Sequence, residues 1–419
     1  MASELPIVVV GAGAAGIMAA IFAAGSGRPT LLVERTRDGG RKILISGGGR
    51  CNVLPSRMDP AQYFTASSRN TLRKMLLSWP LADQRRWFEE ELGIRLVLEP
   101  ETGKLFPESN RAREVRDALL ARAERAGARL RFDGYVVGLR PPAGAEPWQV
   151  LLAEGPPLAA AAVVVATGGL SVPQTGSDGT GMRIVRQLGH SLHDTYAALT
   201  PLTADPPVHA SLAGISLTAR LETPLERGTL AAEGGFLFTH RGYSGPSVLD
   251  VSHLAVRAAE DGAARRQPIH VRWTALDAAA WERLLLERSG GTVAGLLRRH
   301  LPTRLADALL AEAGVDEART LPQLRRDERA RLVEALARYP LPWTGHEGYR
   351  KAEVTGGGVP LGEVDPRTLE SRLVPGLFLC GEILDCFGPI GGYNFLWAWA
   401  TGRAAGLGAA ARTAAAGEA

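Results

Sequence analysis

Residues Ile7–Gly16 read IVVVGAGAAG. The four β-branched residues at the start predict a short strand buried on both faces, because a covered parallel strand is apolar throughout. Gly11, Gly13 and Gly16 follow in G-x-G-x-x-G spacing, and Ala14 and Ala15 open an apolar helix reaching about Ala24. Each glycine has its own task. Gly11 lets the chain turn sharply from strand to helix. Gly13 has no side chain, so a pyrophosphate can approach the backbone. Gly16 lets the helix lie close on the strand. The helix N-terminus then offers bare N–H groups and positive dipole to phosphate oxygens. A Gly-rich turn of this kind can also be purely structural, so the neighbouring motifs decide.

Thr30–Glu34 (TLLVE) reads as the second strand, and Glu34 lies 23 positions after Gly11. A dinucleotide fold places there the acid that hydrogen-bonds an unphosphorylated ribose, as in FAD or NAD. Gly39–Asn52 (GGRKILISGGGRCN) is too Gly-rich for a helix or regular strand. It offers close backbone approach at Gly47, Gly48 and Gly49 and positive charge at Arg41, Lys42 and Arg50, suited to a diphosphate or a flavin ring. Ala162–Gly169 (AVVVATGG) reads as another buried strand ending in a glycine turn, followed by SDGTG and a helix from Gly181 to Leu188. Near the C-terminus, Leu377–Leu379 leads into Cys380-Gly381-Glu382. Then Gly391-Gly392 precedes an apolar helix from Leu396 to Ala411. The opening theme thus recurs: an acid that can bind ribityl hydroxyls, and a helix N-terminus whose dipole can stabilise a reduced flavin.

The chain has 419 residues, enough for two or three domains, with 45% hydrophobic and 22% charged residues. That is ordinary for a soluble globular protein. No apolar run reaches the ~20 residues that span a bilayer. The first strand begins too near Met1 to leave room for a signal peptide, and three cysteines make no disulfide framework; a cytoplasmic protein without membrane or metal partners is expected. The net charge is +4, and lysine occurs only at 42, 74, 104 and 351. This balance permits an acidic or nucleic-acid partner without requiring one.

Between these blocks, Asn70–Leu92 and Arg111–Gly127 have helical periodicity, with Leu72, Met75, Leu76, Leu119 and Ala123 facing inward. Glu101–Pro107 (ETGKLFP) is turn-rich and could reach the active-site side. Strands are expected at Arg129–Leu139, Trp148–Leu152 and Leu158–Val165. Residues 191–349 differ in texture: 191–280 alternate short strands with Pro and Gly turns, and 281–340 turn helical and Arg-rich. The expected organisation is a discontinuous domain, 1–190 with 350–419, around an insertion at 191–349.

Taken together, GAGAAG (11–16), GRKILISGGGRCN (40–52), ATGG (166–169), GSDGTG (176–181), FTHRGYSGP (238–246), VTGGGV (354–359) and GEILDCFGPIGGYNFLWAWATGRAAG (381–406) resemble the BaiN/RdsA family of FAD-dependent oxidoreductases, also described as aminoacetone-oxidase-like flavoproteins. The resemblance runs from one end of the chain to the other. It implies an α/β fold: a Rossmann-like FAD-binding domain of glutathione-reductase type, with an inserted β-barrel-like domain carrying a helical subdomain. By the same resemblance, Gly11, Gly13, Ala14, Ala15 and Gly16 hold the pyrophosphate, and Glu34 with Arg35 the adenosine ribose. Arg41, Lys42, Gly48 and Gly49 lie along the cofactor. Val136 meets the adenine through its backbone, and Ala166, Thr167 and Gly168 flank the nucleotide. Gly381 and Glu382 hold the ribityl chain, and Gly392, Tyr393, Asn394 and Phe395 contact the flavin ring. Many members carry Leu-Gln after GGYN; this chain carries Phe395 and Leu396, so one member's substrate does not transfer.

A flavin is itself the redox reagent, so no side-chain triad is required, and none is evident. There is one G-x-G-x-x-G between strand and helix, which suggests that any NAD(P)H donor binds transiently or that another reductant serves, and no CxxC for disulfide chemistry. Candidate catalytic side chains are His240, as an acid or base or as a loop-ordering group, Tyr393, and Cys51, as a thiol or a small packed side chain. The expected function is two-electron transfer between bound FAD and a small-molecule substrate, by amine oxidation or enoyl-type reduction. The alternatives are reduction of a uridine in 23S ribosomal RNA to dihydrouridine, with Arg283–Arg304 and Arg319–Arg338 as a phosphate-binding surface, and a low-turnover flavin-binding protein.

Overall fold

A computed structural model describes residues 4–144, 146–260, 267–287 and 291–418. The chain falls into two compact units, Met1–Tyr196 with Glu353–Ala419, and Ala197–Ala352.

The first unit is built on a five-stranded sheet in the order Leu377–Leu379, Ala162–Val165, Ile7–Val10, Thr30–Val33, Ala128–Arg131. Every pairing is parallel, with Val8 opposite Val163 on one side and Leu31 on the other. All four residues of Ile7–Val10 are buried, as the unbroken β-branched run requires. The strand at Leu377–Leu379 pairs with Val163–Val165, so chain from both sides of the second unit completes one sheet.

The first helix, Ala14–Gly25, packs against the C-terminal helix, Tyr393–Glu418. The contact is backbone-close. A Cβ at Gly402 would stand 2.3 Å from the Ala15 carbonyl oxygen, and one at Gly406 would stand 2.3 Å from that of Ala19. Residues four apart share one helix stripe, so these two glycines form a smooth strip that seats the last helix on the first.

The structure departs from the sequence expectations in three places. Arg41–Ile45 forms one helical turn inside the Gly-rich stretch where no helix was expected. Gly40 turns the chain at φ 70° and its N–H donates to the Ala12 carbonyl. The glycine-free RKILI then closes a turn before Gly47 and Gly48 end it in the left-handed region, at φ 56° and 67°. The helix expected over Asn70–Leu92 breaks at Pro80 into Arg69–Leu77 and Leu81–Arg86, followed by a wider turn at Trp87–Glu91, because proline interrupts helical hydrogen bonding. Finally, Leu158–Val165 divides between two sheets. Leu158–Ala160 joins Trp148–Leu152 and Val136–Arg140 in an antiparallel triplet, while Ala162–Val165 enters the parallel sheet.

The second unit carries a seven-stranded antiparallel sheet in the order Tyr339–Pro340, His270–Arg272, Ser216–Pro224, Thr229–Thr239, Gly242–Ser244, Leu202–Thr203, Gly345–His346. Its two outer strands do not pair with each other among the described residues, so the ladder is open. Phe236, Phe238, Tyr243, Trp273 and Trp281 are buried at its core. The Arg-rich stretches form the helices Ala278–Leu285, Val293–Leu297, Thr303–Glu312 and Arg326–Ala337. Residues 288–290, inside the first of those stretches, lie outside the described residues.

Candidate flavin site

The glycines of the opening motif separate by what a side chain would meet. A Cβ at Gly11 would lie 2.7 Å from the Ala166 carbonyl oxygen, and one at Gly16 would lie 1.8 Å from that of Gly11. A Cβ at Gly13 would meet nothing within 4 Å. Gly11 and Gly16 are therefore demanded by the fold, and Gly13 faces open space at the start of a helix whose first turn no side chain caps. Gly48 likewise faces open space.

Glu34 closes the turn. Its Oε2 accepts from the Ala12 N–H at 2.8 Å, and its Oε1 accepts from the N–H and hydroxyl of Thr36 at 2.9 and 2.8 Å. A carboxylate has about four acceptor positions, so Oε2 keeps capacity for a hydroxyl. Next to it lies a cavity of about 450 Å³ lined by Arg35, Thr36, Arg37, Arg41, Asp133, Pro173, Gln174 and Gly176. The Arg35 guanidinium stacks over Tyr135 at 4.3 Å and pairs with Asp178. Burial of Asp178 opposes its ionisation, but hydrogen bonds from Arg35 and Thr180 outweigh it and hold the carboxyl below the usual carboxylate range. Val136 is buried at the head of the antiparallel triplet.

Further along, four chain segments meet at Glu382. Lys42 Nζ lies 2.7 Å from Glu382 Oε2 and 2.5 Å from Ser171 Oγ. The Ser171 hydroxyl and the Thr355 N–H both donate to Glu382 Oε1, at 2.6 and 3.0 Å. Thr355 Oγ1 in turn accepts from the N–H groups of Leu170 and Ser171, at 2.7 and 3.1 Å. Gly169 is needed here because a Cβ would lie 2.4 Å from Thr355 Oγ1. Nothing local in sequence marks Ser171 and Thr355 as partners of this carboxylate.

The GGYN block is shaped by close approach. A Cβ at Gly392 would lie 2.5 Å from the Leu54 carbonyl carbon. The Asn394 amide is committed at both ends to the backbone of Gly388. The Tyr393 hydroxyl donates to Gln62, and Phe395 stacks on Trp399 at 5.3 Å. Gly381 donates to Thr401 Oγ1, and its carbonyl accepts from the Trp397 indole. Sequence also missed Asp385, which is buried and whose Oδ2 accepts from Thr65, Ala66 and Ser67.

The cofactor residues expected from sequence all lie in the first unit. Of the candidate catalytic groups, Tyr393 lies there too. Cys51 is also there, fully buried, with burial pushing its thiol up to about 12 despite a hydrogen bond with Ser46; at neutral pH it is a packed thiol. His240 stands exposed at the turn after Thr229–Thr239 in the second unit.

FAD fits this set. Gly13 and Gly48 leave a cradle that any side chain would fill. Among the described residues no cluster of His, Cys, Asp or Glu could hold a metal ion, and no helix is long and apolar enough to cross a membrane.

Comparison with known proteins agrees with the geometry. Residues 5–408 match the family model described as HI0933-like protein Rossmann domain. The chain is 32% identical over 409 residues to the ribosomal RNA dihydrouridine synthase of Escherichia coli, covering 94% of this chain and 95% of that one. It is 31% identical over 412 residues to the 3-dehydro-bile acid delta(4,6)-reductase of Clostridium scindens, covering 96% and 98%. Among solved structures, the 3-ketosteroid delta1-dehydrogenase of Sterolibacterium denitrificans shares the fold with a TM-score of 0.55 at 13% identity, covering 97% of this chain and 99% of that one. With cradle, acid and helix termini arranged as in a flavin-binding Rossmann domain, the chain belongs to the HI0933-like Rossmann family of flavoprotein oxidoreductases.

Proposed function

We propose that this chain uses bound FAD to reduce a carbon–carbon double bond conjugated to a carbonyl in a small-molecule substrate, with NAD(P)H as a transient electron donor. FAD supplies two-electron, hydride-type chemistry when bound. The observation that carries the cofactor assignment is the open face at Gly13 beneath an uncapped helix N-terminus. The reaction class is supported by the relatives: a dihydrouridine synthase and a delta(4,6)-reductase, as named, both saturate a double bond conjugated to a carbonyl.

The chain's own residues bind and orient. Gly13, Ala14 and Ala15 present the helix N-terminus to the pyrophosphate, and Glu34 Oε2 takes a ribose hydroxyl. Arg35 and Arg41 line the adenosine end, and Lys42 pairs with Glu382 beside the ribityl chain. The N-terminus of Tyr393–Glu418 meets the flavin ring and favours negative charge there.

Ribosomal RNA is the second reading, favoured by the names of two relatives at 32% and 30% identity. Against it, Arg298, Arg319, Arg325, Arg329, Arg331 and Arg338 are each ion-paired with acidic neighbours. An arginine paired in this way has less charge to offer phosphates.

The test is anaerobic. The flavin is reduced with NADPH or NADH, then mixed with cyclohex-2-enone or with a 23S ribosomal RNA transcript. The expected result is reoxidation by the enone well above the rate without acceptor. Anaerobic reduction of the oxidised flavin by aminoacetone, with peroxide released when oxygen is then admitted, would instead establish an amine oxidase. RNA-dependent reoxidation, with dihydrouridine missing from the rRNA of a deletion strain, would establish the RNA substrate.

A further inference from the structure

We propose that Arg35 is the base platform of the cofactor site: its guanidinium, backed by Tyr135 and held by Asp178, is the flat wall on which the adenine of FAD stacks. The inference rests on the cofactor assignment made above and adds a contact to the base, which neither the glycine cradle nor Glu34 supplies. The phosphate cradle leaves Gly176–Gly181 (GSDGTG) without a task.

That stretch holds one guanidinium in place. Asp178 Oδ2 pairs with Arg35 Nη1. Asp178 Oδ1 accepts from the Thr180 N–H at 3.0 Å, which fixes the carboxylate. The Tyr135 hydroxyl lies 2.9 Å from the Thr180 hydroxyl and 3.4 Å from Asp178 Oδ2. The Tyr135 ring, anchored through its hydroxyl, lies against the guanidinium with 4.3 Å between its centroid and Arg35 Cζ. A guanidinium is planar. With a carboxylate at its edge and a ring on one face, it has one face left to offer.

A cavity adjoins it. Arg35 lines the cavity of about 450 Å³ and Tyr135 does not, so the ring backs Arg35 from the far side. A volume of this size is in the range of small-molecule sites and accommodates a nucleoside. Its place relative to Glu34 is set by Gly176. A Cβ there would lie 3.5 Å from Arg35 Cδ and 3.7 Å from Glu34 Oε1. The platform and the acid that takes a ribose hydroxyl thus flank a single glycine. Base and ribose are likewise neighbours in a nucleoside, joined by one glycosidic bond.

The charge on Arg35 is already met. Asp178 is ion-paired to it, and the hydrogen bonds from Arg35 and Thr180 hold that carboxyl below the usual carboxylate range despite its burial. What Arg35 has left is its plane rather than its charge. A guanidinium plane stacks on π surfaces, nucleobases included. Lysine has the charge without the plane, so the two residues are not interchangeable at such a position. Asp178, Thr180 and Tyr135 act through Arg35 and are positioning residues.

The test measures FAD binding to the flavin-free full chain by quenching of flavin fluorescence. The unmodified protein is compared with Arg35→Ala, Arg35→Lys, Tyr135→Leu and Tyr135→Phe. Arg35→Ala and Arg35→Lys are both expected to raise the Kd for FAD about 10- to 100-fold, the range of a lost base-stacking contact. Unchanged affinity in Arg35→Ala, or affinity restored by Arg35→Lys, overturns the proposal. Tyr135→Phe keeps the ring and is expected to lose less affinity than Tyr135→Leu; equal losses contradict the backing role of the ring. FMN, which lacks the adenine, separates grip on the base from support of the fold. Its affinity for Arg35→Ala should match that for the unmodified protein, and an equal loss for FMN and FAD overturns the proposal. Failure of the unmodified protein to bind FAD would instead overturn the cofactor assignment on which the proposal rests.

Discussion

Gly13→Val is expected to give a folded, colourless protein. Gly13 has φ −79° and ψ −175°, an extended conformation that valine adopts without strain. A Cβ there meets nothing within 4 Å. The folded chain has no objection to the side chain, so thermal stability of the flavin-free protein should change by less than about 1 kcal/mol. The cofactor is affected differently. The open space at Gly13 is where a pyrophosphate approaches the backbone, and two methyl groups would occupy it. Flavin absorbance of the purified variant, measured beside the unmodified protein, should be absent. A variant that folds and stays yellow would mean the phosphates lie elsewhere.

Gly16→Ala is expected to do the opposite: to damage the fold itself. A Cβ at Gly16 would lie 1.8 Å from the Gly11 carbonyl oxygen and 3.1 Å from the Ala166 Cβ. Neither neighbour can yield. Gly11 belongs to the turn between strand and helix, and Ala166 follows the adjacent strand, pinned by its N–H to the Val10 carbonyl. The helix would have to move off the sheet, and it is also seated against Gly402 and Gly406 of the C-terminal helix. Overpacking of this kind costs about 3 kcal/mol. The expected result is a chain that is largely insoluble or melts several degrees lower without flavin. Equal melting temperatures for Gly16→Ala and the unmodified apoprotein would contradict the close helix–strand packing. One methyl group at Gly16 thus costs folding, and two at Gly13 cost only binding. The two variants separate the structural glycines from the ligand-facing one.

That separation shows what sequence could and could not convey. IVVVGAGAAG carried the strand, the turn and the helix, because both the apolar period and the glycine spacing are local. It did not distinguish which glycines serve the fold, since the atoms they approach come from Ala166 and from the opening turn itself. Glu34 was legible from its spacing, but not that Ala12 and Thr36 already hold it. The Glu382 network was not legible, because Lys42, Ser171, Thr355 and Glu382 are brought together only by the fold; 340 positions separate Lys42 from Glu382. Short-range structure was missed where one composition hid another. The glycine-free RKILI sits between glycine clusters and forms a helical turn. The Arg-rich helices looked like a free basic surface because sequence does not show that acids on neighbouring turns and helices pair with their guanidinium groups.

The central claim is that both ends of this chain build one site for FAD. It is tested most directly by releasing the chromophore from the purified, unmodified protein and identifying it by chromatography and mass. The account predicts FAD, close to one per chain. FMN, another nucleotide, or no chromophore after incubation with excess FAD would contradict it.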